Sequence, residues 1–177
     1  MNDSALLDGN AAGVLRARRG QAVNLLAGQL YFGGEAATIG TLLGSCVAVT
    51  LWHPGQRIGG MCHFLLPHRR RPSGEPLDAR FGDEAIELMV QTLQRLGTRA
   101  CDYQAHLYGG ADTMPERAGV KFDVGERNIE QGWSLIERHG FELHAVDVGD
   151  HVPRHVRLTL DTGVVQMRRG DVIRQAA

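Results

Sequence analysis

From Leu30 onward the chain is a succession of short apolar runs cut by glycine and turn residues, and this punctuation limits the possible folds more than any other feature. The runs at residues 30–32, 46–52 and 58–66 read as strands. His53-Pro54-Gly55-Gln56 places turn residues between the second and third runs, so these two strands are expected to form a hairpin. Two stretches follow a helical period instead. Ile86, Met89, Val90, Leu93 and Leu96 recur at three- and four-residue steps after Asp83 and stop at Gly97, which predicts an amphipathic helix with an acidic first turn. A second helix is expected over about 125–139, with Ile129, Trp133 and Ile136 on one face and Gly140 at its end. Further strands are expected at 103–108, 142–148, 155–160 and 164–168, the last two joined as a hairpin by Asp161-Thr162-Gly163.

A chain of 177 residues can bury its apolar surface in one core. Residues 1–28, rich in Ala, Gly, Asn and Arg without sustained periodicity, are expected to be a poorly ordered leader, 29–170 a single domain and 171–177 a tail. Nineteen Lys and Arg against twenty Asp and Glu leave no global field to draw the chain to nucleic acid or an anionic membrane. The start lacks the pattern of a secretory signal, and no apolar run approaches the ~20 residues of a membrane span, so a cytoplasmic protein without membrane insertion is expected.

Three cysteines, Cys46, Cys62 and Cys101, are too few for a disulfide framework and form no Cys-x-x-Cys pair. Free cysteine is commonly a small buried hydrophobe, and Cys62 and Cys101 take that reading. Cys46 differs. Gly44-Ser45-Cys46 sits where a loop turns into an apolar strand, an arrangement that presents a thiol with backbone N–H groups beside it. His63 lies seventeen positions on, across the expected hairpin. An imidazolium in hydrogen-bond reach lowers a thiol pKa, and the same ring can protonate a departing amine. Strand alternation puts Met61, His63 and Leu65 on one side and Cys62, Phe64 and Leu66 on the other, so Cys62 cannot share a site with His63. The pairs Gly59-Gly60 and Gly109-Gly110 lack nucleotide-binding spacing and suit turns or close backbone approach.

The stretch Thr41-Leu42-Leu43-Gly44-Ser45-Cys46-Val47-Ala48-Val49, followed by Gly59-Gly60-Met61-Cys62-His63-Phe64-Leu65-Leu66-Pro67, closely resembles the CheD family of chemoreceptor glutamine deamidases. Tyr108-Gly109-Gly110-Ala111, Gly125-Glu126-Arg127-Asn128 and Asp147-Val148-Gly149 follow in family order. The resemblance implies an α+β fold of mixed β-sheets layered with helices, similar to the catalytic domain of deamidating bacterial toxins, and makes 29–170 a single catalytic domain. It implies conversion of glutamine to glutamate on the cytoplasmic helices of chemoreceptors, without metal or organic cofactor, and binding by some members of a CheC-type phosphatase. It also assigns roles, Cys46 as nucleophile, His63 as base and Thr41 as the third catalytic residue, while the backbone N–H groups at Gly44 and Ser45 are expected from their place beside the thiol to support an oxyanion.

Two rival readings use the same residues. One is a binding module for a chemotaxis phosphatase or receptor, and the other a cysteine peptidase. Finally, Arg69, Arg70 and Arg71 lie in the polar loop 67–76 a few residues beyond His63, where a basic rim would steer an acidic receptor helix.

Overall fold

The computed structural model describes residues 10–113 and 123–170. In chain order these form β1 (Ala22–Leu25), β2 (Leu30–Gly33), β3 (Thr38–Leu43), β4 (Val47–His53), β5 (Ile58–Phe64), α1 (Gly82–Arg95), β6 (Gln104–Gly109), α2 (Val124–His139), β7 (Glu142–Val148), β8 (Arg154–Thr159) and β9 (Val165–Arg169). The strands assemble into two mixed sheets, one ordered β1-β3-β8-β9 and the other β2-β5-β4-β6-β7. The architecture is α+β, as expected from the sequence.

Period-two alternation sorts the side chains of the five-stranded sheet between two cores. Val47, Val49 and Leu51 of β4, with Cys62 and Phe64 of β5, join Ile86, Met89 and Leu93 of α1 and Leu135 and Ile136 of α2. Ala48 and Met61 point the other way, into a second core with Ile39 and Leu43 of β3, Tyr108 of β6, and Val156 and Leu158 of β8. The molecule is therefore three layers: the four-stranded sheet, the five-stranded sheet, and the two helices. Strands covered on both faces need apolar residues at consecutive positions, which is why β4 and β5 read as unbroken apolar runs. Burying each of their large aliphatic or aromatic side chains contributes roughly 1.5–3 kcal/mol.

The β4–β5 hairpin forms as expected, with Ala48 paired to His63 and Val47 to Phe64. So does the β8–β9 hairpin. Helix α1 buries Ile86, Met89, Val90 and Leu93 as its periodicity requires. Helix α2 is different: its buried positions are Gly125, Asn128, Gly132, Leu135 and Ile136, while Trp133 is 41% exposed and bonds Glu137 at the surface. Two small residues and an amide, rather than Trp133, let α2 approach the sheet.

Residues 10–28 correct the expectation of a poorly ordered leader. β1 pairs in parallel with β3, from Ala22 opposite Thr38 to Leu25 opposite Thr41. Ala12 and Val14 make single bridges to Asp78 and Leu30. Residues 1–9 and the expected tail, 171–177, lie outside the described residues. Strand β3, also absent from the reading by apolar runs, is held on its other side by β8, more than a hundred residues away in sequence.

Candidate active site

Cys46 immediately precedes β4, and His63 lies near the end of β5. Because Ala48 stands opposite His63, the residue two before Ala48 is a diagonal neighbour of His63 on the same side of the sheet. Diagonal partners lie about 7–8 Å apart at Cα, within reach of long side chains. Cys46 packs against the core between the sheets, the side that also carries Met61 and Ala48. Cys62 faces the helices, fully buried in the other core. The hairpin thus brings Cys46 and His63 to one side and keeps Cys62 from it.

Thr41 completes this group from the other sheet. Its Oγ1 lies 2.7 Å from His63 Nδ1 and 2.9 Å from the carbonyl oxygen of Leu25. A hydroxyl has one proton, and the Leu25 carbonyl can only accept, so the Thr41 proton goes to Leu25 and its lone pair faces His63. Nδ1 of His63 must then carry the ring proton, which leaves Nε2 as a lone-pair base. The backbone of the same ring is fixed from the β1–β2 turn: the Gly28 N–H donates to the His63 carbonyl at 2.7 Å and the His63 N–H to that of Gln29 at 3.0 Å. Leu25 and Gly28 were expected in the leader, yet they hold Thr41 and His63.

Burial sets the charge state. It pushes the His63 imidazole down to about 4 and the Cys46 thiol up from its ordinary value. Both shifts favour the neutral thiol and the neutral imidazole, where the sequence suggested an imidazolium lowering the thiol pKa. Burial also pushes Cys62 up to about 12. Cys101, expected to be a buried hydrophobe, is exposed.

The loop from Gly44 to Cys46 is gripped through its carbonyls. Gly44 accepts from the Ala111 N–H at 3.0 Å and Cys46 from the Gly110 N–H at 2.8 Å. Ser45 accepts from Asn128 Nδ2 at 3.3 Å, and the same nitrogen donates to Leu65 at 2.8 Å. Gly109 has φ +109, and a Cβ there would collide with the Cys46 carbonyl oxygen, so only glycine permits this approach. Among the described residues the N–H groups of Ser45 and Cys46 donate no hydrogen bond. The glycine pair was legible as a close-approach signal. Asn128 and the Leu25 carbonyl were not, since neither a backbone carbonyl nor one amide in a helix leaves a pattern.

Arg69 departs from the expected steering role. Its guanidinium bonds Glu84 at 2.9 Å and Glu75 at 2.9 Å and lies 4.8 Å over the Phe81 ring, which staples the loop to the start of α1. Arg71 donates to the Glu75 carbonyl at 2.6 Å with its side chain exposed, and Arg70 is exposed. Among the described residues no group of three or more His, Cys, Asp or Glu could hold a metal ion, and no helix is long and apolar enough to cross a membrane.

Comparison with known proteins adds an independent line. The family model described as CheD chemotactic sensory transduction matches residues 65–169, downstream of Cys46 and His63. A protein of Dechloromonas aromatica named "Probable chemoreceptor glutamine deamidase CheD 3" is 44% identical over 138 residues, covering 78% of this chain and 81% of its own. One of Chromobacterium violaceum, named "Probable chemoreceptor glutamine deamidase CheD 1", is 40% identical over 151 residues, covering 85% and 78%. Among solved structures, the Bacillus licheniformis hypothetical protein YfiH aligns with a TM-score of 0.40 at 8% identity, covering 78% of this chain and 63% of that one. The family match and the extent of identity agree with the motifs in the sequence, and the chain belongs to the CheD family.

Proposed function

We propose that this protein is a cysteine hydrolase that converts glutamine side chains on the cytoplasmic helices of chemoreceptors to glutamate, in chemotactic adaptation. The observation that carries the reading is the chain of hydrogen bonds from the Leu25 carbonyl through Thr41 to His63, on the side of the sheet that Cys46 shares. The names of the relatives supply the substrate class, and we place the reaction in the cytoplasm with those helices.

In this mechanism Nε2 of His63 takes the Cys46 proton as Sγ attacks the side-chain carboxamide carbon, so the thiolate appears only as the bond forms. The tetrahedral oxyanion is held by the N–H groups around Ser45 and Cys46. Its collapse breaks the C–N bond, His63 returns the proton to the departing ammonia, and a thioester remains on Cys46. Water, deprotonated by His63, then releases glutamate and the thiol. The Thr41 oxygen keeps Nδ1 protonated throughout. No metal or organic cofactor is needed. The deamidating-toxin likeness of the fold belongs to the same reading, as does binding of a CheC-type phosphatase. Docking by the basic loop is narrowed to Arg70 and Arg71.

The test is incubation with chemoreceptor cytoplasmic fragments, followed by peptide mass mapping. Conversion of glutamine to glutamate in intact peptides, abolished by Cys46→Ala, is the expected result. Equal receptor modification by Cys46→Ala would leave only a binding module, and cleaved peptides would identify a peptidase.

A further inference from the structure

We propose that Asn128 is a positioning residue that aims the Cys46 N–H at the oxyanion, and this rests on the cysteine-hydrolase reading above. Asn128 lies in the second turn of α2 and is fully buried. Its Nδ2 donates to the Ser45 carbonyl, one residue before the nucleophile, and to the Leu65 carbonyl, two residues after the base. Both partners are acceptors, which fixes the nitrogen of the amide toward them. Oδ1 is buried with no hydrogen-bond partner among the described residues. An orphaned acceptor is costly, and an apolar residue of the same size would avoid it, so the position is held for what Nδ2 does.

What Nδ2 does follows from the layers. Helix α2 packs on the face of the five-stranded sheet opposite to the one that Cys46 and His63 share. In a trans peptide the carbonyl and the N–H point in opposite directions. Drawing the Ser45 carbonyl toward α2 therefore turns the N–H of the same peptide, that of Cys46, toward the His63 side. The carbonyls of Gly44 and Cys46 are already held by backbone donors, whereas the Ser45 carbonyl has Asn128 as its donor among the described residues. The short bond to Leu65 anchors the amide, and the longer one to Ser45 steers the peptide. Without it this peptide is free to rotate, and the oxyanion loses a donor while thiol and imidazole stay in place.

The test uses the full chain carrying Cys101→Ser, which removes the exposed thiol from alkylation measurements. Asn128→Leu deletes the donor and the orphaned acceptor together at similar volume, and Asn128→Ala deletes both without adding bulk. On receptor fragments, a folded variant is expected to lose kcat by at least about tenfold with KM within about threefold. Alkylation of Cys46 by iodoacetamide, which develops no oxyanion, should stay within about twofold of the parent. Retained kcat overturns the proposal, as does a parallel fall in kcat and alkylation, which would mean general collapse of the loop. If neither variant folds, Asn128 is a folding residue and the proposal is equally overturned. Deamidation that survives Cys46→Ala would instead defeat the hydrolase reading itself.

Discussion

At the residue scale the candidate site is a set of groups whose protons are placed by hydrogen bonding and burial. Thr41 acts through one hydroxyl that gives its proton to Leu25 and accepts that of His63. Thr41→Ala should lower kcat by roughly tenfold to a hundredfold with little change in KM, because an orienting bond matters most in the transition state. A kcat within about twofold of the parent would remove Thr41 from the mechanism. The pH dependence follows from burial. In the proposed mechanism the base works when His63 is neutral, and burial lowers its pKa to about 4, so kcat/KM should rise with pH through about 4 and then hold level across the neutral range. The thiol is pushed up, so iodoacetamide should react with Cys46 faster as pH increases from neutral to alkaline. An acid limb near the ordinary histidine value, or an alkylation rate independent of pH, would signal a preformed ion pair instead. The sequence pointed to Cys46 and His63 through hairpin spacing and family resemblance and to Thr41 through the resemblance alone, and the fold sets Thr41 against His63 on the side that Cys46 shares. The charge state was not legible, since desolvation depends on what the fold places around each group.

At the element scale, what the sequence revealed depended on how local each pairing is. The β4–β5 and β8–β9 hairpins carry their turn residues between their strands and were visible at once. β1 has four residues, of which only Val23 and Leu25 are buried, too short an alternation to register. β3 contains Gly40 in mid-strand and owes its place to β1 and β8, partners that no local pattern announces. The face of α2 was misjudged because Trp133 dominates an apolar count, while Gly125, Asn128 and Gly132 make the close approach. The consequence for β1 is testable. Its Leu25 carbonyl takes the Thr41 proton and the turn after it holds the His63 backbone, so removing residues 1–28 should abolish deamidation. Undiminished kcat in the truncated protein would mean that the segment is the dispensable leader its composition suggests.

At the scale of the whole molecule, the candidate active site depends on two sheets keeping their relative position, since Thr41 comes from one and His63 from the other. An ionic cluster joins those sheets. Asp147 of β7 accepts from Arg154 Nε at 2.7 Å and from Arg169 Nη2 at 2.9 Å, while Arg154 is fully buried and its Nη2 has no partner among the described residues. Burial alone would raise the Asp147 carboxyl, but Arg169 and Arg154 outweigh it and hold it below the usual carboxylate range. Its stabilisation is therefore present above the ordinary carboxylate pKa and lost as pH falls through the lowered one. Asp147→Asn leaves Arg154 buried without its counter-charge, a loss of about 3–5 kcal/mol. Thermal unfolding should shift down by roughly 10 °C, whereas an unchanged midpoint would show that the cluster does not hold the sheets. The central claim, that Cys46 carries the acyl group, is tested most directly by acid-quenching the reaction with a receptor-derived glutamine peptide and analysing the intact protein by tandem mass spectrometry. The mechanism predicts a glutamyl-peptide adduct on Cys46, formed with release of ammonia and absent in His63→Ala. An adduct on another residue, or full turnover by Cys46→Ala, would contradict it.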